Sequence, residues 1–203
     1  ASTAKPVTIT AESASRVYDG TALTNDSYTS MGLASTDHIE SVTVTGGQTM
    51  VGTSNNTPSA AVIKNSSGED MTSSYAITYA NGTLEVTKKA VTITADNATK
   101  VYDGTFLTND SYTSTGLATG DHIESVTVTG SRMAVGTSHN TPSAAVIKNS
   151  SGEDVTSSYA ITYANGTLEV TRKLVTITAN DANKTYDGTA LTEGGYMQTG
   201  LTS

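Results

Sequence analysis

Tyr18-Asp19-Gly20-Thr21 returns as Tyr102-Asp103-Gly104-Thr105 and as Tyr186-Asp187-Gly188-Thr189. A phenol, a carboxylate and a flexible turn at one place in every copy are groups from which an acid-base or ligand site can be built. Turn chemistry accounts for the same residues: Asp-Gly forms a turn, the aspartate accepts backbone N–H bonds, and the tyrosine buries its ring while its hydroxyl finds a partner. The motif is therefore read as structural. Asp37-His38-Ile39-Glu40, repeated as Asp121-His122-Ile123-Glu124, carries metal-ligand types. His38 and Glu40 project to one side of a strand, but a third ligand is missing, so the segment is read as a solvated corner. His139 stands where the first copy has Asn55, which argues against a shared role at that position.

Three further groups have competing readings. Asn65-Ser66-Ser67-Gly68-Glu69-Asp70 is rich in oxygen ligands without the acidic spacing of a calcium loop, which leaves a turn or a weak extracellular calcium site. Lys64 and Lys148, each after Ala-Ala-Val-Ile, raise an intramolecular Lys-Asn isopeptide bond, but no partner or buried carboxylate is evident. A lysine guarding a sheet edge is the simpler reading. Asn25, Asn65 and Asn81 lie in Asn-x-Ser/Thr sequons that turns explain equally well. No nucleophile elbow, phosphate loop or cysteine occurs, so the expectation is a non-enzymatic protein with no catalytic, cofactor-binding or metal residue and no cofactor.

The elements that hold these residues come in copies. Residues 5–88 and 89–172 are one 84-residue text written twice, with 16 differences and no insertion, and a third copy begins at Lys173 and runs to Ser203. The period exceeds the roughly 20 to 50 residues of most solenoid units, so each copy is expected to carry its own small core. The expected domains are 5–88 and 89–172, with little mutual interface, followed by 173–203 as a truncated third repeat. Val175, Ile177, Tyr186 and Leu191 of that last segment would stand uncovered, seeking the end of the second copy or a sheet of a neighbouring molecule.

The chain has 203 residues, net charge -8, ten Tyr, one Phe, 18 Gly and neither Cys nor Trp. That balance offers no basic patch for phosphates, which excludes nucleic acid as an expected partner. No apolar run approaches the roughly 18 residues of a spanning helix, so membrane insertion is not expected. Partners are expected among neighbouring copies of the chain or other surface-protein domains.

Val7-Thr8-Ile9-Thr10-Ala11 alternates as a half-buried strand does. Asn81-Gly82 between Ala76–Ala80 and Thr83–Thr87 predicts a two-residue hairpin pairing Tyr79 with Leu84 and Ile77 with Val86. Ile39 is out of phase with Val42 and Val44, which predicts a bulge or a strand start near Glu40. A weaker strand is expected around Ser27–Ser30, and another at Ser59–Lys64. The inward phase is even at Leu84 and Val86 but odd at Val91 and Ile93, so the strand must break at Thr87–Ala90. The expected core is Val7, Ile9, Val42, Val44, Ile77, Tyr79, Leu84 and Val86, with Ile161, Tyr163, Leu168 and Val170 in the matching places. Helical periodicity is absent. About seven short strands per copy predict an all-β fold of tandem immunoglobulin-like β-sandwich domains, with a β-grasp-like fold as the alternative.

The run from Lys89 to Thr105, closed by Tyr159–Thr171, resembles the YDG and MBG (mostly-β, glycine-rich) repeat domains of bacterial surface proteins and adhesins. The resemblance spans both complete copies and the opening of the third. It implies an extracellular protein at the bacterial cell surface or wall, in which tandem copies form a stalk. Binding of a host glycan or matrix protein, or self-association into fibres, is the alternative role. The family brings no catalytic residues to transfer.

Overall fold

A computed structural model describes residues 2–202. The chain is all-β, with 56% of residues in strands and 3% helical. The first repeat runs β1 (Lys5–Ala11), β2 (Ala14–Val17), β3 (Tyr28–Met31), β4 (Asp37–Thr45), β5 (Gly52–Asn65), β6 (Tyr75–Ala80) and β7 (Gly82–Thr87), with a single 3-10 turn at Thr72–Ser74. It forms two sheets, of order β3-β1-β6 and β2-β7-β5-β4.

Alternation in β1 buries Val7, Ile9 and Ala11 and leaves the threonines outward. Val7 joins Ile63 of β5 and Tyr75 of β6 in one apolar cluster, with Leu33, Met71 and Ile77 packed against it. The bulge expected near Glu40 is present, since the register of β4 against β5 shifts on either side of Ser41.

The hairpin expected at Asn81-Gly82 does not form. β6 pairs in parallel with β1, and β7 pairs in parallel with β2 in the other sheet. Both pairings hold the same 70-residue offset, so the two chain segments cross from one sheet to the other side by side. Gly82 is needed for closeness and not for a positive φ: a Cβ there would lie 2.5 Å from the carbonyl oxygens of both Ala11 and Glu12. The Thr83 N–H, turned out of the ladder at this corner, donates to the Ser13 hydroxyl at 3.0 Å. Asn56, buried beside the corner, donates to the Glu12 and Asn25 carbonyls at 2.9 and 2.7 Å.

The different pairing revises the expected core. Leu84 and Val86 are buried, but Tyr79 is exposed on β6, with its hydroxyl accepting the Ala61 N–H at 2.9 Å where Ala60 takes a φ of 51°. Ile77 is half-buried. Val42 and Val44 are also half-buried because β4 is the edge of its sheet. The second repeat repeats the pattern, with Leu168 and Val170 buried, Ile161 half-buried and Tyr163 exposed.

The second repeat comprises β8 (Lys89–Ala95), β9 (Ala98–Val101), β10 (Tyr112–Thr115), β11 (His122–Thr129), β12 (Gly136–Lys148), β13 (Tyr159–Ala164) and β14 (Gly166–Thr171). Its sheets have the matching orders β10-β8-β13 and β11-β12-β14-β9. Lys88, between β7 and β8, is the strand break that the phase change requires. In the third copy β15 (Thr176–Ala179) and β16 (Tyr196–Thr199) pair antiparallel in the register of β1 with β3. Val175, Ile177, Tyr186 and Leu191 are exposed, as the sequence leads one to expect.

The chain gathers into two compact units. The first holds the chain through Thr92 with Ser114–Ser125 and Ala145–Thr162; the second holds Ile93–Thr113, Val126–Ala144 and the chain from Tyr163. The first unit thus contains the whole of repeat one together with the opening of β8 and two later segments of repeat two. Little mutual interface between repeats was the expectation, and it is wrong: one apolar cluster contains Tyr18, Leu23, Leu84 and Val86 of the first repeat and Val91, Ala118, Ile147, Val155 and Tyr159 of the second. The short Thr87–Ala90 connection brings these faces together, and their union covers apolar surface that each would otherwise show to water.

Candidate functional site at the repeat junction

The Tyr-Asp-Gly-Thr turn is the first component. Asp19 Oδ1 accepts the Thr21 N–H at 2.9 Å and the Thr21 hydroxyl at 2.8 Å, and Gly20 supplies a φ of +83°. These bonds hold the Asp19 carboxyl below its usual range, with Arg16 at 3.0 Å adding to the effect. Asp103 and Asp187 build the same turn with Lys100 and Lys184 in place of Arg16. The Tyr18 N–H is fixed on the Thr87 carbonyl at 2.8 Å, and the turn directs the ring inward.

The receiving surface belongs to the second repeat. Tyr159 opens β13 after the 3-10 turn Thr156–Ser158. Its hydroxyl accepts the Ala118 N–H at 3.0 Å and donates to Asp121 Oδ2 at 2.5 Å. Tyr18 meets this ring edge-on, with centroids 5.5 Å apart and planes at 76°. Aromatic pairs favour this arrangement because the positive edge of one ring faces the negative face of the other. Burial, and then the charge of Asp121, pushes the Tyr18 phenol up to about 12. Burial and the hydrogen bond to Asp121 raise Tyr159 as well. Both tyrosines are therefore neutral over the ordinary pH range, and Asp121 serves as an acceptor for the junction.

The internal repeat shows what the contact covers. Ala118, Val155 and Ser158 are buried in the second repeat, whereas their first-repeat counterparts Ala34 and Met71 are half-buried and Ser74 is exposed. Tyr18 and Leu23 are buried, whereas Tyr102 and Leu107 are half-buried. A cleft of about 390 Å³ opens beside the contact, with Tyr18, Gly20, Met50, Asp121, Ser150 and Glu153 among its lining residues. Within the second unit another cleft, of about 290 Å³, is lined by Tyr102, Val135, Val175 and Leu201.

The remaining sequence candidates lie elsewhere. Asp37 is held by the Tyr75 hydroxyl at 2.6 Å, apart in role from its neighbours His38 and Glu40. Those two are 3.5 Å apart on the surface, and Lys64 Nζ lies 3.1 Å from Glu40; His122, Glu124 and Lys148 repeat the set. Such exposed pairs contribute little to stability. Lys64 lies near the end of β5, where it pairs with His38 of β4 on one side and makes only an isolated bridge to Asp70 on the other, because β7 flanks β5 over Gly52–Asn56 alone. Asn65 and Asp70 are engaged in their own turn: Asn65 Oδ1 accepts the N–H groups of Ser67 and Glu69, and Asp70 Oδ1 that of Thr72. Asn25 caps Ser27 in the same manner, and Asn81 lies at the sheet-to-sheet corner. His139 lies on β12 opposite Thr167. Among the described residues no group of three or more His, Cys, Asp or Glu is placed to hold a metal ion.

The roles of Tyr75 and Tyr159 escaped the sequence reading. Their signal was the alternation with Ile77 and Ile161, which turns each tyrosine inward, where a buried hydroxyl requires an acceptor.

Residues 91–169 match the family model of the MBG domain, YGX type. The second repeat is thus similar to an MBG domain. Curated proteins give no match to the chain. Within the MBG segment, Ala118, Asp121 and Tyr159 are the residues that receive Tyr18 of the preceding repeat.

Proposed function

We propose that the chain is a non-enzymatic spacer from a bacterial cell-surface, adhesin-like protein, built of tandem β-sandwich domains that hold a distal part of that protein away from its anchor. The observation that carries this reading is the apolar seating of Tyr18 against Tyr159, Ala118 and Val155 across the repeat boundary. A spacer must resist bending, and a packed junction restrains successive repeats more than a bare four-residue linker would. The MBG match supports a β-rich surface-protein module, and the net charge of -8 favours solubility and mutual repulsion of neighbouring stalks. The extracellular location belongs to the same proposal.

Small-angle scattering of the whole chain, compared with a Tyr18→Ser variant, tests it. A spacer gives one narrow distribution of interatomic distances, and the variant broadens it as the junction loosens. Identical broad distributions for both proteins would sink the reading.

A further inference from the structure

We infer that the cleft beside the Tyr18–Tyr159 contact is a binding site for a primary alkylammonium group, as carried by a lysine side chain or a free amine. The cleft has a volume of about 390 Å³, and its whole lining lies within the first compact unit. The first repeat contributes Tyr18 and Met50, and the second contributes Asp121, Ser150 and Glu153. Each carboxylate has one oxygen already committed: Asp121 Oδ2 accepts the Tyr159 hydroxyl at 2.5 Å, and Glu153 Oε2 accepts the Asn149 amide at 2.7 Å. Asp121 Oδ1 and Glu153 Oε1 retain acceptor capacity. The lysine and arginine ion pairs of the described residues lie elsewhere, on Asp19, Glu40, Asp103, Glu124 and Asp187, so no basic side chain neutralises this pair. Burial, then Asp121 through its charge and hydrogen bonding, then the charges of Asp19 and Glu153 raise the Tyr18 phenol, which marks the cleft as a place where negative charge converges.

Comparison with the first repeat shows how the acceptor at Asp121 is kept free. There Thr36 donates its hydroxyl to Asp37 Oδ1 at 3.0 Å, whereas the second repeat has Gly120 in that place and Asp121 Oδ1 lacks this donor. Gly120 takes a φ of +90°, and a Cβ there would come within 3.9 Å of Ser150 Oγ; on Gly20 it would come within 3.9 Å of the Tyr18 hydroxyl. The two glycines therefore leave both hydroxyls open to the cleft. A guanidinium is held best through both oxygens of one carboxylate, which neither Asp121 nor Glu153 offers. An ammonium takes its three acceptors from separate groups, and Asp121 Oδ1, Glu153 Oε1 and the Ser150 hydroxyl are the ones this cleft holds. Met50, 39% exposed and in the same lining, covers the methylenes that carry the charge.

Magnetic resonance titration of the full, isotopically labelled chain tests this, read at the amides of Gly120, Ser150 and Glu153. The probes are Nα-acetyl-lysine amide, n-butylammonium, Nα-acetyl-arginine amide and the uncharged Nα,Nε-diacetyl-lysine amide. The two primary amines are expected to give saturable shifts in the millimolar range, the arginine probe weaker ones, and the diacetyl probe none. Glu153→Gln keeps an acceptor for Asn149 and lies outside the Tyr18–Tyr159 contact, so the rest of its spectrum should match the wild type. It is expected to weaken amine binding about tenfold, as the loss of one charge-assisted hydrogen bond implies. Glu69→Gln, at the matching place in the first repeat, leaves binding unchanged. Tighter binding of the lysine probe than of butylammonium assigns the site to a polypeptide partner, and the reverse to a free amine. Absence of saturable shifts with both amines overturns the proposal. So does equal binding of the arginine or diacetyl probe, or a Glu153→Gln variant that binds as the wild type does. None of these outcomes bears on the spacer reading, which scattering tests separately.

Discussion

Tyr18 and Tyr102 occupy the same place in nearly identical sequence, yet only Tyr18 is buried against another repeat. Their comparison isolates the energy of the junction. Replacing Tyr18 with Ala leaves a ring-sized void and is expected to cost about 3 to 5 kcal/mol. Tyr102→Ala, at a half-buried position, should cost clearly less, and urea midpoints of the two variants check the order. The junction also has an alkaline limit. The folded Tyr18 phenol ionises near 12, whereas an unfolded tyrosine ionises near its model value of 10, so the folded chain retains a proton that the unfolded chain loses between these values. The stability it contributes is fully present below pH 10 and is lost as pH rises toward 12. Tyrosinate absorbance should show late-titrating groups in the wild type, one fewer in Tyr18→Phe, and a shallower alkaline loss of melting temperature in that variant.

At the scale of elements, the sheet-to-sheet corner governs the fold of each repeat. β1 and β6 leave one sheet together and enter the other as β2 and β7, which is possible only where Gly82 lets the backbones nearly touch. Gly82→Ala would press a methyl against two carbonyl oxygens that cannot move independently. The expected cost is about 2 to 3 kcal/mol or more, measured by denaturant unfolding. Gly47→Ala is the control: nothing lies near its added Cβ, so its stability should stay within about 0.5 kcal/mol of wild type.

At the scale of the whole molecule, the first compact unit crosses the repeat boundary. Segments of the second repeat should therefore report on damage to the first. Amide exchange of Ala118, whose N–H is bonded to Tyr159, should quicken at least tenfold in Tyr18→Ala. An unchanged Ala118 rate would mean that the receiving surface is stable without its partner, and that the repeats are coupled only by their connecting chain. The stability of the first unit is accordingly shared between the first repeat and the face of the second repeat that it covers.

Much of this was legible in the sequence, because period-2 patterning records which side of a strand meets the core. Val7, Ile9, Leu84 and Val86 are buried as their alternation requires, Ile39 and Val42 are separated by a bulge, and β7 ends where the phase changes. Pairing was not legible. Asn81-Gly82 carries the local signature of a hairpin, and only the backbone of Ala11 and Glu12, some 70 residues away, decides that the glycine is there for close approach. The same holds for the junction. The sequence by itself determined that a tyrosine, an aspartate and a glycine would recur every 84 residues in one turn geometry. The tertiary structure alone decided that Asp121 and Tyr159 would receive the first of those tyrosines, because contact between residues far apart in the chain depends on how whole sheets stack and leaves no period in the sequence to read.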